Sequence, residues 1–149
     1  MRVVLDTNII VSGLLSPSGP PGNLLDLWDE DQRYTLVSAE EQIAELQRVA
    51  DYPKLRTRLQ AAFVHDWVFT IRRFGAMVGN LPVVNASPDP DDNVILAIAQ
   101  AGQADLLVTG DKRDLLALKR HGLTRIISAR EALDLLATPT DGKSGSTPA

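Results

Sequence analysis

Acidic residues in this chain gather where apolar runs end. The run VVL stops at Asp6, Thr7 and Asn8; PDPDDN carries Asp89, Asp91 and Asp92; LLVTG leads into Asp111, with Asp114 three residues on. Glu45 lies apart, on the flank of the apolar stripe in EEQIAELQRVA. Each acid has a plain reading. Asp89 before Pro90 makes a good helix N-cap, Asp91 and Asp92 in a first turn complement the helix dipole, Asp111 can cap a following helix, and Glu45 can be an exposed helical glutamate. Capping needs one polar residue rather than three, however, and Ser or Asn would cap without repulsion. Of the acids at the ends of apolar runs, only Asp111 and Asp114 have bases beside them in sequence, Lys112 and Arg113. Carboxylates brought together raise one another's pKa, and a hard divalent cation, Mg²⁺ or Mn²⁺, relieves that cost through oxygen ligands.

Rival chemistries fit poorly. The absence of cysteine excludes disulfides, thiolate catalysis and thiolate zinc sites. The two histidines, His65 and His121, fall on expected helices and read as packing or surface residues. No G-x-S-x-G elbow and no phosphate-binding G-x-x-x-x-G-K-[ST] loop occurs. A dehalogenase-type phosphatase would want D-x-D after the first strand, and the third position here is Asn8.

The acids must be placed by alternating strands and helices. The β-branched stretch 2–6 reads as a buried strand, followed by a helix over 8–15 that Pro17 and SGPPG terminate. A helix over 22–31 buries Leu24, Leu25, Leu27 and Trp28, and a strand follows at 34–37. Ser38 is expected to cap the next helix, with Glu41 completing a capping box and Ile43, Leu46, Val49 and Ala50 on the core face; Pro53 ends it. Helices at 54–60 and 61–78 follow, with Phe63, Trp67, Val68, Ile71 and Phe74 at helical spacing, a row that reads as core rather than a base-stacking platform. The second half predicts strands at 81–84, 105–109 and 125–127, and helices at 92–101, 112–121 and 129–136. The fold class is α/β, with a central parallel sheet of about five strands and helices on both faces. Ligands of such sheets bind beyond the C-terminal strand ends, where the strand order reverses. The acids fall at those ends.

The length of 149 residues suits one domain, expected over 1–137, and the TPTDGKSGSTPA stretch over 138–149 reads as a disordered tail. With 44% hydrophobic and 23% charged residues the chain is globular. No leader pattern and no membrane-length apolar run is visible, so a cytoplasmic location is expected. The net charge is −4, yet Arg48, Lys54, Arg56, Arg58, Arg72 and Arg73 face only Asp51 and Asp66 within 48–73, a local +4 that leaves −8 on the rest. This segment is either a solvated helical surface or a stripe that tracks a phosphate backbone.

Three stretches together resemble the PIN-domain ribonucleases, particularly their VapC-like toxin branch: LDTNIIVSGLLSPSGPPG, LVSAEEQIAELQRVADYPKLR and PDPDDNVILAIAQAGQADLLVTGDKRDLLAL. The resemblance spans Arg2 to about Leu136 and is specific in order and spacing. It implies a PIN-like three-layer sandwich and a metal-dependent endoribonuclease using Mg²⁺ or Mn²⁺. By motif the acidic quartet is Asp6, Glu45, Asp92 and Asp111, with Asp6, Asp92 and Asp111 as metal ligands and Asn8 and Thr109 as accessory polar groups. Many VapC-like toxins carry the third acid where this chain has Asn93. The D-D-N form moves that role to Asp92, with Asp89 in reserve.

The chemistry so implied is phosphodiester hydrolysis by water activated at a metal. Arg48, Arg72, Arg73, Lys112 and Arg113 are candidates for holding the RNA backbone. The resemblance further implies a homodimer and a cognate antitoxin partner, although such a domain can equally serve RNA processing. Two other readings remain: an inactive PIN-like module that binds RNA or protein, and a Mg²⁺-dependent phosphatase of small esters. Retention of Glu45 and Asp111 disfavours the first, and the basic stripe suits a polymer better than a small ester.

Overall fold

Neighbouring residues along each central strand face two different cores. Val3 and Leu5 of β1 (Arg2–Leu5) point into one buried cluster and Val4 into the other. The same alternation separates Leu36 from Val37 in β2 (Thr35–Ser38), Leu107 from Leu106 and Val108 in β4 (Leu106–Val108), and Ile126 from Ile127 in β6 (Thr124–Ile127). Strands buried on both faces require a helical layer on each side, since a strand's side chains alternate in direction.

The computed structural model describes residues 1–110 and 113–137. Asp111, Lys112 and the expected tail at 138–149 lie outside the described residues. On one face lie α1 (Thr7–Leu15), α2 (Pro20–Asp29), α3 (Glu40–Ala50), α5 (Ala61–Phe74) and α8 (Ala129–Ala137), with the short α4 (Pro53–Arg56) beside α3. On the other lie α6 (Pro90–Ala101) and the short α7 (Leu115–Leu118). With β3 (Ala76–Met77) and β5 (Arg120–His121), the described residues form a sheet of six strands in the order β3-β2-β1-β4-β6-β5. All neighbours are parallel except β5 against β6. The expected three-layer α/β architecture is the observed one. No helix among the described residues is long and apolar enough to cross a membrane.

Local expectations fail where a turn interrupts the helical or strand pattern. LPVV at 81–84 is not a strand: Pro82 has no N–H for a ladder and Val83 is 99% exposed. The edge strand is instead β3, inside the stretch expected to be helical to residue 78. Gly75 makes this possible. A Cβ there would lie 2.6 Å from the Ile71 carbonyl oxygen and 3.3 Å from that of Leu36, so only glycine lets the chain leave α5 against β2. Helix 112–121 shrinks to α7, because Lys119 turns at φ 63° and β5 then forms a hairpin with β6. Gly122, at φ 58°, is the first residue of that two-residue turn, where glycine is favoured.

SGPPG does not simply break the chain, since Pro20 and Pro21 open α2, where a missing N–H costs nothing. Ser38 belongs to β2 and is not a cap; the N-cap of α3 is Ala39. The aromatic row also divides. Val68 and Ile71 are buried, half-buried Trp67 lies 6.3 Å from Trp28 ring to ring, and Phe63 and Phe74 are exposed.

Candidate active site

Strands β1 and β4 are parallel neighbours, with Leu5 opposite Val108. From β1 the chain passes to β2 on one side, and β4 lies on the other, so strand order reverses between them. The residue after each strand then meets its counterpart. The Asp6 amide donates to the Val108 carbonyl at 2.8 Å, and the Thr109 hydroxyl donates to Asp6 Oδ2 at 2.8 Å.

Asp6 occupies the N-cap position of α1, and its carbonyl accepts from the amides of Ile9 and Ile10. Its side chain makes no capping bond. The carboxylate is turned toward β4, 7% exposed, beside a fully buried Thr109. A cap alone would not bury a carboxylate there, because burial of charge is costly.

The three candidates in PDPDDN separate by what each side chain holds. Asp89 is the N-cap of α6, accepting from the Asp91 amide at 2.9 Å. Asn93 clamps the preceding loop: its Oδ1 accepts from the amides of Ala86 and Ser87, and its Nδ2 donates to the Ser87 carbonyl. Asp92 is 7% exposed and accepts from the Ser87 hydroxyl at 2.9 Å. Ser87 Oγ in turn accepts from the Asp89 amide.

Glu45 reaches the site from the second turn of α3. The Thr7 hydroxyl donates to its Oε1 at 2.5 Å. Behind Thr7 stands a buried relay in which the Ser38 hydroxyl donates to Gln42 Oε1, and Gln42 Nε2 donates to the Leu5 carbonyl and, at 3.4 Å, to Thr7 Oγ1. This relay ties the ends of β1 and β2 to α3. Burial pushes the Glu45 carboxyl above the usual glutamate range; the Thr7 hydroxyl opposes this, Asp91 and Asp6 push it further up, and Arg48 pulls it down. Glu45, Asp91 and Asp6 thus share one acidic field.

Of the residues expected from sequence, the structure brings Asp6, Thr109 and Glu45 to this edge, with buried Asp92 in the first turn of α6. Asn8 is exposed on α1, and its side chain has no hydrogen bond among the described residues. Thr7, Gln42, Ser38 and Ser87 join the site through side-chain hydrogen bonds that the sequence does not announce. The only sequence signal for Thr7 was its place between Asp6 and Asn8, and for the other three there was none.

Among the described residues, no three His, Cys, Asp or Glu side chains lie close enough to hold a metal by themselves. The donors that do gather are carboxylate and hydroxyl oxygens. His65 lies in a cleft between α3 and α5, and His121 bonds Gln100 at the far end of α6. An oxygen-only donor set in a net acidic field fits a hard divalent cation, with Asp6 and Asp92 as described ligand candidates.

Comparison with known proteins agrees with this geometry. Residues 2–113 match the family model described as PIN domain. The chain is also 31% identical over 122 residues to Uncharacterized protein MJ1680 of Methanocaldococcus jannaschii, covering 80% of this chain and 76% of that protein. A parallel sheet whose order reverses at a buried carboxylate, matched by this model over most of its length, places the chain in the PIN-domain family, whose members are generally nucleases that use divalent metals.

Proposed function

We propose that this protein is a metal-dependent endoribonuclease that hydrolyses RNA phosphodiester bonds with Mg²⁺ or Mn²⁺. The observation that carries this reading is the Asp6 carboxylate, which is not spent on the helix it precedes and is held by Thr109 at the reversal of strand order. Asp6, Asp92 and Asp111 are the proposed metal ligands, with Glu45 completing the catalytic set. Asp89 serves as a cap and Asn93 as a loop clamp, which favours Asp92 for the third position.

Asp6, Asp92 and Asp111 would hold the cation, which when bound would supply charge neutralisation at a phosphate and acidify water. The protein's own groups set the geometry. Thr109 orients Asp6, Ser87 orients Asp92, and Thr7 orients Glu45. Glu45, with raised proton affinity and a fixed hydroxyl donor, is suited to hold a proton at its carboxylate.

The resemblance to VapC-like toxins supports a role as the toxin of a toxin–antitoxin pair, acting as a homodimer restrained by a cognate antitoxin. Residues 1–137 are proposed as the nuclease domain and 138–149 as dispensable for it.

The test is incubation of purified protein with labelled RNA and with a generic phosphate ester, each with and without Mn²⁺. Internal RNA cleavage that needs Mn²⁺ and fails in Asp6→Asn supports the reading. Ester hydrolysis without RNA cleavage would make it a phosphatase, and RNA binding without cleavage would make it a binding module.

A further inference from the structure

We infer that the cleft between α3 and the α4–α5 segment seats the phosphodiester backbone of a single-stranded substrate, with Arg48 and Arg56 as phosphate contacts leading to the acidic site. This rests on the nuclease reading above. The cleft encloses about 660 Å³. Its lining includes buried Leu59, Val64 and Val68 together with exposed Arg48, Arg56 and His65. That volume suits one or two unpaired nucleotides and not a duplex, whose two strands need an open face.

Arg48 joins the cleft to the chemistry. It lies three residues beyond Glu45 on α3, on a neighbouring part of the helix surface, and its charge acts on the Glu45 carboxyl while it also lines the cleft. Arg48 therefore connects the lining of the cleft to the side of α3 that carries Glu45.

The neighbouring cations are differently engaged. Arg72 is held by both Glu40 carboxylate oxygens, at 2.7 and 3.0 Å, and the Arg73 guanidinium lies 5.7 Å from the Phe74 ring centre. Among the described residues Arg56 pairs with Asp51 alone, at 3.6 Å, with the two side chains 63% and 76% exposed. An ion pair so exposed contributes little, so a phosphate can displace Asp51 cheaply. Charge complementarity favours the same route. Outside 48–73 the chain carries −8, which repels a polyanion, and within it +4.

The test measures anisotropy of a labelled single-stranded oligoribonucleotide in EDTA, which halts metal-dependent cleavage, across a salt series. Arg48→Ala and Arg56→Ala should each weaken binding and reduce the slope of log K against log salt by about 0.7, the increment for one phosphate contact on a single strand. Arg72→Ala should leave the slope unchanged, and Asp51→Asn should tighten binding by freeing Arg56. With Mn²⁺ present, Arg56→Ala, which leaves the surroundings of Glu45 intact, should raise KM and leave kcat close to wild type. Wild-type cleavage with unchanged slopes in both variants overturns the inference alone. A wild type that neither binds nor cuts RNA overturns the nuclease reading with it. Variants that change self-association by light scattering while binding RNA normally show a protein-docking face, which also overturns it.

Discussion

The Thr7 hydroxyl is bonded to Glu45 Oε1 at 2.5 Å, with Gln42 Nε2 on its other side. The direction of the relay leaves Thr7 as donor to the carboxylate. Thr7→Val keeps the shape and removes the donor, so cleavage should fall roughly 10–100-fold, while Thr7→Ser should retain most of it. Steady-state kinetics of both variants, with circular dichroism to verify folding, check this. Equal activity in Thr7→Val and wild type would make the bond purely structural.

Asp92 and Asn93 should fail in different assays. Asp92→Asn should abolish cleavage and leave the fold intact, because the amide still accepts from Ser87. Asn93→Ala removes three loop hydrogen bonds and should cost about 1–3 kcal/mol of stability, with residual cleavage below its melting temperature. Chemical denaturation and RNA cleavage, run on both variants, separate the roles; the opposite ranking would move the third ligand to Asn93.

Metal should matter more to wild type than to Asp6→Asn. Without metal, the substitution removes one charge from a field that also contains Glu45 and Asp91, so the variant should melt no lower than wild type and could gain ~1 kcal/mol. Millimolar Mg²⁺ or Mn²⁺ should raise the wild-type melting temperature by linkage and barely move the variant. Thermal shift measurements with and without cation decide. Strong metal-free destabilisation together with a wild-type metal response would return Asp6 to a structural cap.

Glu45 sets a pH dependence of known sign. Its folded carboxyl binds a proton more tightly than the unfolded one, chiefly through burial. In metal-free protein its contribution to stability should therefore rise as pH falls through the raised value, and level off below the ordinary glutamate range. Glu45→Gln should lose this component. Urea titrations of both proteins from neutral to mildly acidic pH test it, and parallel curves would show that Glu45 ionises as a free side chain.

Legibility in the sequence followed locality. The alternation of Val3, Val4 and Leu5 and the Asp-Pro start of α6 were readable because side-chain period and capping act over a few residues. Ser38 misled for the same reason. S-x-x-E is a valid local cap signal, but the parallel pairing of β2 with β3 draws Ser38 into the sheet and its hydroxyl to Gln42. The strand at 76–77 and the hairpin at 120–125 were hidden because short edge strands carry little pattern of their own and exist only against their neighbours.

By itself the sequence determined the chemical inventory: carboxylate and hydroxyl oxygens without thiols, acids at strand ends, and a local excess of positive charge within 48–73. The tertiary structure alone decided how these are used. It set Thr109 against Asp6 across 103 positions, made Asp89 a cap and Asn93 a clamp, and turned buried Asp92 toward Ser87. The reason is physical. Residue type limits which bonds a side chain can make, whereas the register of parallel strands, fixed by core packing far along the chain, selects which of them it makes.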